Sequence, residues 1–224
     1  MPGTTRLQLY NDALLLCGER FLASLSEDRE PRRLLDQVWA SNGVNLALEM
    51  GQWQFAMRTQ QVNYDSDIEP PFGYQYAFDK PTDWILTSAV CSDPYFRQPL
   101  LAYADEMSYW FADLQTIYVR FVSNDSSYGG DLTKWPATFC DYAAALFASK
   151  IIGKLSGKDA EMQRLLGAPG DLDGGELGRR LTIAKSRAAM TQPTQYPAQG
   201  SWTRSRYGSR RGTWDRGNPG SLIG

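Results

Sequence analysis

The chain contains no histidine. That absence excludes Ser-His-Asp and Cys-His machinery, imidazole ligation of zinc and histidine pH switching. Carboxylate, Lys, Tyr, Ser or Cys chemistry is what remains. Cysteine is scarce: Cys17, Cys91 and Cys140 lie far apart without CxxC spacing, and an odd number argues against a closed disulfide framework. A reducing assembly compartment fits that usage. No apolar run approaches the ~18 residues that a membrane span needs. The N-terminal MPGTTRLQLYNDALLLCGER lacks the basic and uninterrupted apolar regions of a secretion signal. A soluble, unprocessed protein with no membrane partner is expected. The glycine-rich stretches at Gly129-Gly130 and Gly167–Gly175 match neither GxxxxGK[ST] nor GxGxxG, so they read as loops rather than phosphate cradles. No internal repeat is found.

What the sequence does contain is apolar material for one core with room for a subdomain, since 42% of its 224 residues are apolar. Thr4 or Thr5 is placed to N-cap a first helix along Leu7, Tyr10, Leu14 and Cys17, with Gly18 as its stop. A second helix is expected from about Ser26, with Glu27 and Asp28 complementing its N-terminus, through Leu34, Leu35, Val38, Trp39, Asn42 and Leu46 to Met50. Trp53, Phe55 and Met57 then alternate with polar or small residues, the period of an extending chain. From about Thr59 to Ser123 the pattern is strand-like, with runs at Gln61–Tyr64, Tyr74–Phe78, Trp84–Val90, Leu100–Ala104 and Thr116–Val122. Turn chemistry separates them, and Ser123–Asp131 reads as a mobile polar loop. Trp135-Pro136 opens a third long helix reaching Ser156 or Gly157; Asp159–Leu166 and Glu176–Met190 read as two more.

The fold class expected is α+β: mainly an α-helical bundle, residues 1–58 and 132–190, with an inserted antiparallel β-region, 59–131, and an extended basic C-terminal arm, 191–224. The arm carries five arginines against Asp215, whereas residues 1–190 hold 18 Lys/Arg against 24 Asp/Glu. A body of net −6 thus continues into a segment of net +4. Such asymmetry marks a segment that touches something else. Its side chains Trp202, Arg204, Arg206, Tyr207, Arg210, Arg211, Trp214 and Arg216 suit three uses. Arginines meet phosphates while aromatics stack on bases; a polar tail merely solubilises; or the aromatics anchor the segment in a protein partner. Fully extended, it spans roughly 110 Å.

Reaction chemistry finds little support. Glu27-Asp28, Asp105-Glu106 and Asp65-Ser-Asp67 are neighbouring carboxylates. Glycosidic cleavage needs two such acids some 5–10 Å apart around the substrate. A helix N-terminus and solvated turns account for these acids more simply. Seven tryptophans and twelve tyrosines are many for this length, and core or interface packing is their commonest use.

Five blocks, taken in order, resemble the tail tubular protein A family, the head-to-tail adaptors (connectors) of short-tailed bacteriophages. They are Leu9-Tyr-Asn-Asp-Ala-Leu-Leu-Leu-Cys-Gly-Glu19 with Leu25-Ser-Glu; Arg32-Arg-Leu-Leu-Asp-Gln-Val-Trp39 to Leu46-Ala-Leu48; Trp53-Gln-Phe-Ala-Met-Arg58; Tyr74-Gln-Tyr-Ala-Phe-Asp-Lys-Pro-Thr-Asp83; and Trp135-Pro-Ala-Thr-Phe-Cys-Asp-Tyr-Ala-Ala-Ala-Leu146. The resemblance covers roughly residues 7–155. It implies a structural, non-enzymatic virion protein with no catalytic residues and no cofactor. Its copies would form a dodecameric ring in the neck between capsid portal and tail, after assembly in the host cytoplasm. Implied partners are the portal protein, a tail nozzle or tail tube protein, and DNA that passes through the lumen without specific binding. The C-terminal arm would then grip the portal.

Overall fold

The computed structural model describes residues 4–70, 73–106, 108–155, 159–167 and 175–191. The chain divides into two units, Met1–Gln192 and Pro193–Gly224; only the first lies among the described residues. That unit is α+β, with six α-helices and two antiparallel sheets of three strands each among the described residues.

Helix α1, Arg6–Leu16, starts where the sequence places it. The Thr5 hydroxyl accepts from the Gln8 N–H at 3.2 Å, and the Gln8 side chain accepts from the Thr5 N–H at 2.9 Å. This reciprocal box satisfies two orphan donors. Gly18, at φ +64°, follows the helix end.

The second expected helix is two helices, α2 (Glu30–Ala40) and α3 (Gly43–Glu49). Asn42, at φ +63°, breaks the run. Asparagine tolerates this left-handed state better than most residues, and the apolar spacing continues across the break, so periodicity alone does not reveal it. The two acids expected to complement the N-terminus do other work. Glu27 accepts from the Ala23 N–H at 2.9 Å, and Asp28 pairs with Arg33 at 2.6 Å.

Trp53 to Met57 is not uniformly extended either: Gln54–Ala56 forms a short 3-10 turn before strand β1, Met57–Asn63. Trp53 is buried, and its indole N–H donates to the Ala47 and Leu48 carbonyls at 3.2 and 2.9 Å. The turn is therefore anchored to the end of α3.

The remaining strands are β2 (Tyr76–Asp79), β3 (Trp84–Cys91), β4 (Ala104–Asp105), β5 (Tyr109–Ala112) and β6 (Thr116–Ser123). One sheet has the order β1-β6-β3 and the other β2-β5-β4. Strand β5 falls where no strand is expected from the sequence. The expected run Leu100–Ala104 contributes only its last residue to β4. A four-residue aromatic strand is too short to show alternation, whereas Leu100 instead tucks its N–H onto the Val90 carbonyl at 2.9 Å. Ile117, Val119 and Phe121 of β6 alternate into a small core with Val90, Phe78, Trp110 and Ala112.

Segment 123–131 is a built corner rather than a polar excursion. Ser123 is buried, and Trp135 donates its indole N–H to the Gly129 carbonyl at 2.8 Å. A Cβ on Gly129 would lie 2.4 Å from the Ser123 carbonyl oxygen, so only glycine fits.

Pro136 serves as N-cap of helix α4, Ala137–Ile151, preceding the first turn that the sequence assigned to it. Ten of the fifteen residues of α4 are buried, so it runs through the main core rather than along its surface. It ends five residues or more before the expected stop, in a 3-10 turn at Ile152–Lys154; residues 156–158 lie outside the described residues. Its alanines admit α1, α2, α3 and α6 closely, while Phe139 and Phe147 supply volume worth ~1.5–3 kcal/mol each on burial. Helices α5, Asp159–Leu166, and α6, Gly175–Met190, complete the region. Arg180 of α6 pairs with Glu176 and with Asp141 of α4.

Candidate interaction surfaces

The folded chain separates its charges in a way that the whole-body sum conceals. Residues 59–131, the sheet region, carry eleven acids against three bases, Lys80, Arg97 and Arg120. Residues 1–58 and 132–190 carry thirteen acids against fifteen bases. The net −6 of the body thus comes from the sheet region alone, and the helical residues are slightly basic.

A polar joint ties three elements of the sheet region together. Arg58 of β1 donates to the Asp83 carboxylate at 2.8 Å, the Ser123 hydroxyl donates to the same carboxylate, and the Asn124 N–H donates to the Asp83 carbonyl at 3.0 Å. Burial works against the charge on Asp83, yet the hydrogen bonds from Ser123 and Arg58 outweigh it and hold the carboxyl below its ordinary value. Arg58 also lies 5.9 Å from the Phe121 ring centre and 5.8 Å from that of Tyr128. Strand β1, the β2–β3 turn and the end of β6 are held here in one register.

A second charged corner lies on α1 and α2. Asp36 accepts from Arg6 and from Arg32, both at 2.6 Å, and from the Tyr10 hydroxyl at 3.0 Å. The Arg6 guanidinium sits 4.7 Å from the Trp39 ring centre. Burial, offset in part by Arg6, pushes the Tyr10 hydroxyl up to about 12, so it stays a neutral donor. The corner pins α1 to α2.

Three surface features remain open. The segment Ser92–Leu101 projects Tyr95 and Leu101 into solvent at 76% and 91% exposure. A cleft of about 340 Å³ between Tyr64 and Tyr76 is bordered by Asp65 and Glu69. A cavity of about 220 Å³ lies between the end of α3 and the last turns of α6, over Trp53. Among the described residues no group of His, Cys, Asp or Glu side chains is arranged to hold a metal ion, and no helix is long and apolar enough to cross a membrane.

The carboxylate pairs named from the sequence are placed as follows. Asp105 pairs with Lys80, which also donates to the Glu106 carbonyl. The Lys80 ammonium rests 3.7 Å from the Trp84 ring centre. Asp65 and Asp67 share a turn in which the Asp67 N–H donates to the Asp65 carboxylate at 2.8 Å. Asp65 is brought beside Asp79, whose carboxyl is raised by burial and by that neighbouring charge. Trp202, Arg204, Arg206, Tyr207, Arg210, Arg211, Trp214 and Arg216 all lie outside the described residues. Sequence reasoning missed Asp83, Arg58, Tyr95 and the α3–α6 cavity as sites. For Asp83 and Arg58 the available signal was that each ends one of the resembling blocks, and for Asp83 also its position after Lys80-Pro81-Thr82, a turn that ends in an acid.

No protein-family profile and no curated protein matches this chain.

Proposed function

We propose that this protein is a structural head-to-tail adaptor of a short-tailed bacteriophage. Its copies form a ring that joins the portal to the tail nozzle and leaves a channel for DNA. The observation that carries this reading is where the resembling blocks lie. Arg58, which ends one block, pairs with Asp83, which ends another. Trp53 of the first packs against Phe139 of the last with ring centres 4.7 Å apart. Tyr10 and Trp39, from the two helical blocks, meet at 6.3 Å. Blocks scattered over 7–155 in sequence thus converge on one joint and one aromatic core, which is what a shared fold requires of its characteristic residues.

The finer architecture belongs to the same proposal. The helices form a bundle that makes the ring body, and the sheet region faces neighbours or the tail. The acidic excess, confined to the sheet region, suits a channel wall where that region's acids face inward. Carboxylates repeated around a lumen repel phosphates and favour sliding over sticking. The C-terminal arm, residues 191–224, grips the portal through Trp202, Tyr207, Trp214 and its arginines.

The experiment is deletion of 191–224. The truncated chain should keep its circular dichroism spectrum and its cooperative unfolding yet lose stable binding to cognate portal particles. Unchanged binding would remove the docking role, and a truncated chain that cannot fold would show that the arm belongs to the core.

A second reading rests on the five arginines against one acid in the arm: binding of nucleic acid. Phosphate contacts make affinity fall with a log–log salt slope of about −0.7 to −0.9 per contact. No DNA binding at low salt would leave the adaptor alone.

A further inference from the structure

The loop Ser92–Leu101 and the strand beside it carry the positive charge of the sheet region that no acid neutralises. Of the region's three bases, Lys80 pairs with Asp105. Arg97 and Arg120 are exposed, and neither guanidinium donates a hydrogen bond or meets a carboxylate among the described residues, although eleven acids share the region. Aromatic rings hold them instead. Arg120 stands on the outer face of β6, opposite Thr59 of β1 and Ala89 of β3, and its guanidinium carbon lies 4.6 Å from the Phe96 ring centre. That of Arg97 lies 5.5 Å from the Tyr95 ring centre. A guanidinium stacked on a ring keeps its N–H edge free for an oxyanion.

The loop holds this arrangement in the absence of any ligand. The Asp93 carboxylate accepts from the backbone N–H groups of Tyr95, Arg97 and Gln98 at 2.7 to 3.2 Å, so the one acid within the loop is engaged by its own backbone. The Ser92 N–H donates to the Gln98 carbonyl at 3.1 Å and closes the base. Phe96, whose ring lies under Arg120, is held at φ +56°. That left-handed state is strained for a bulky residue, and such strain gathers at ligand-binding loops. Even with Arg97 beside its ring, Tyr95 remains 76% exposed.

We propose that the loop Ser92–Leu101, with Arg120 beside it, binds a single strand of nucleic acid: Arg97 and Arg120 each take a backbone phosphate, and a base stacks on the exposed Tyr95 ring. Arginines set among aromatic rings are the common chemistry of single-strand binding, because guanidiniums neutralise phosphates and every base has a π-face. An unpaired strand fits better than a duplex, since only an unstacked base can lie on Tyr95. An acidic protein surface would satisfy the two guanidiniums; the flat, exposed ring beside them favours a ligand that carries π-faces along with its phosphates. The surrounding acids keep the contact weak and confine it to the loop. The inference goes beyond the adaptor reading and does not rest on it.

The test uses the full chain and a fluorescein-labelled thymidine oligonucleotide, with affinity read by anisotropy over a range of salt. Arg97→Gln and Arg120→Gln should each lower the affinity about fivefold and reduce the log–log salt slope by about 0.7, the share of one phosphate contact. Arg120→Lys, which keeps the charge, should keep the slope. Tyr95→Ser should lower the affinity about tenfold with the slope unchanged, because a stacked base releases no counterion. Arg20→Gln removes the same charge from an exposed position in the helical region and should change neither quantity. All four positions are exposed, so every variant should keep the circular dichroism spectrum and urea midpoint of the unaltered chain. No binding by the unaltered chain at low salt overturns the proposal. A slope that Arg97→Gln and Arg120→Gln leave intact assigns the binding to the arm and overturns it too, as does an equal fall with Arg20→Gln. Binding of polyglutamate that needs Arg97 and Arg120, beside oligonucleotide binding that does not, assigns the loop to an acidic protein surface and likewise overturns it.

Discussion

Two hydroxyls, one in each core, show how differently the helical and sheet regions are held. In the helical core the Tyr142 hydroxyl is buried beside Trp53 and Phe139 and meets no hydrogen-bond partner among the described residues; burial alone pushes it up to about 12. In the sheet region the Thr87 hydroxyl accepts from two indoles, Trp84 at 3.0 Å and Trp110 at 2.9 Å. The helical core is large enough that volume and alanine-lined contacts fix α4; a buried polar atom without a partner among the described residues occurs in both regions, Tyr142 here and the Gln60 side-chain oxygen on β1. The sheet core has seven buried apolar residues and is held in addition by directed bonds. A small core gains less from area and leans more on polar bonds for a single arrangement.

That contrast breaks first at the polar joint of the sheet region. Asp83→Asn should leave Arg58 without its counter-charge and cost about 2–4 kcal/mol. The urea midpoint should fall, read by tryptophan fluorescence and far-UV circular dichroism. Because the folded carboxyl of Asp83 lies below its ordinary 3.8, its contribution is complete above that pH and is lost as pH falls through the lower folded value. The variant should lack this acid-limb slope, and an identical pH–stability curve would place the coupling elsewhere. Thr87→Val tests the sheet core. Removing the shared acceptor leaves two indole donors unpaired, at a cost of about 2 kcal/mol, measured as a lower urea midpoint; a loss under ~0.5 kcal/mol would show that packing suffices there. Smallest is Tyr142→Phe, which removes a buried group without a partner. Stability should stay level or rise by up to ~1 kcal/mol, and a clear loss in the same titration would mean that the hydroxyl is satisfied.

The regions also differ in how far their sequence can be read. The helical region declares itself through local rules: Thr5 with Gln8 caps α1, and the stretch Asp159–Leu166 is α5 to the residue. One of its surprises, the break at Asn42, is a single backbone torsion that no apolar spacing encodes. In the sheet region β3 and β6 are legible because they run eight residues each with β-branched and aromatic content. Strand β5 is too short for a period, and β6 lies between β1 and β3 because of long-range pairing that a local pattern does not carry. The corner 123–131 looks polar in sequence, yet its polar groups are spent on internal bonds. The site is less legible than the fold. The arm residues chosen from the sequence stand outside the described residues, while Tyr95 reads as an ordinary loop aromatic until its exposure and its Asp93 scaffold are seen together.

The central claim is assembly with a portal, and the direct measurement is the native mass of the full chain alone and after mixing with cognate portal rings. Twelve copies of a 25.2 kDa chain should add roughly 300 kDa to each portal ring, whether the free chain is a monomer or already a ring. Portal rings that keep their own mass at saturating chain would contradict the account.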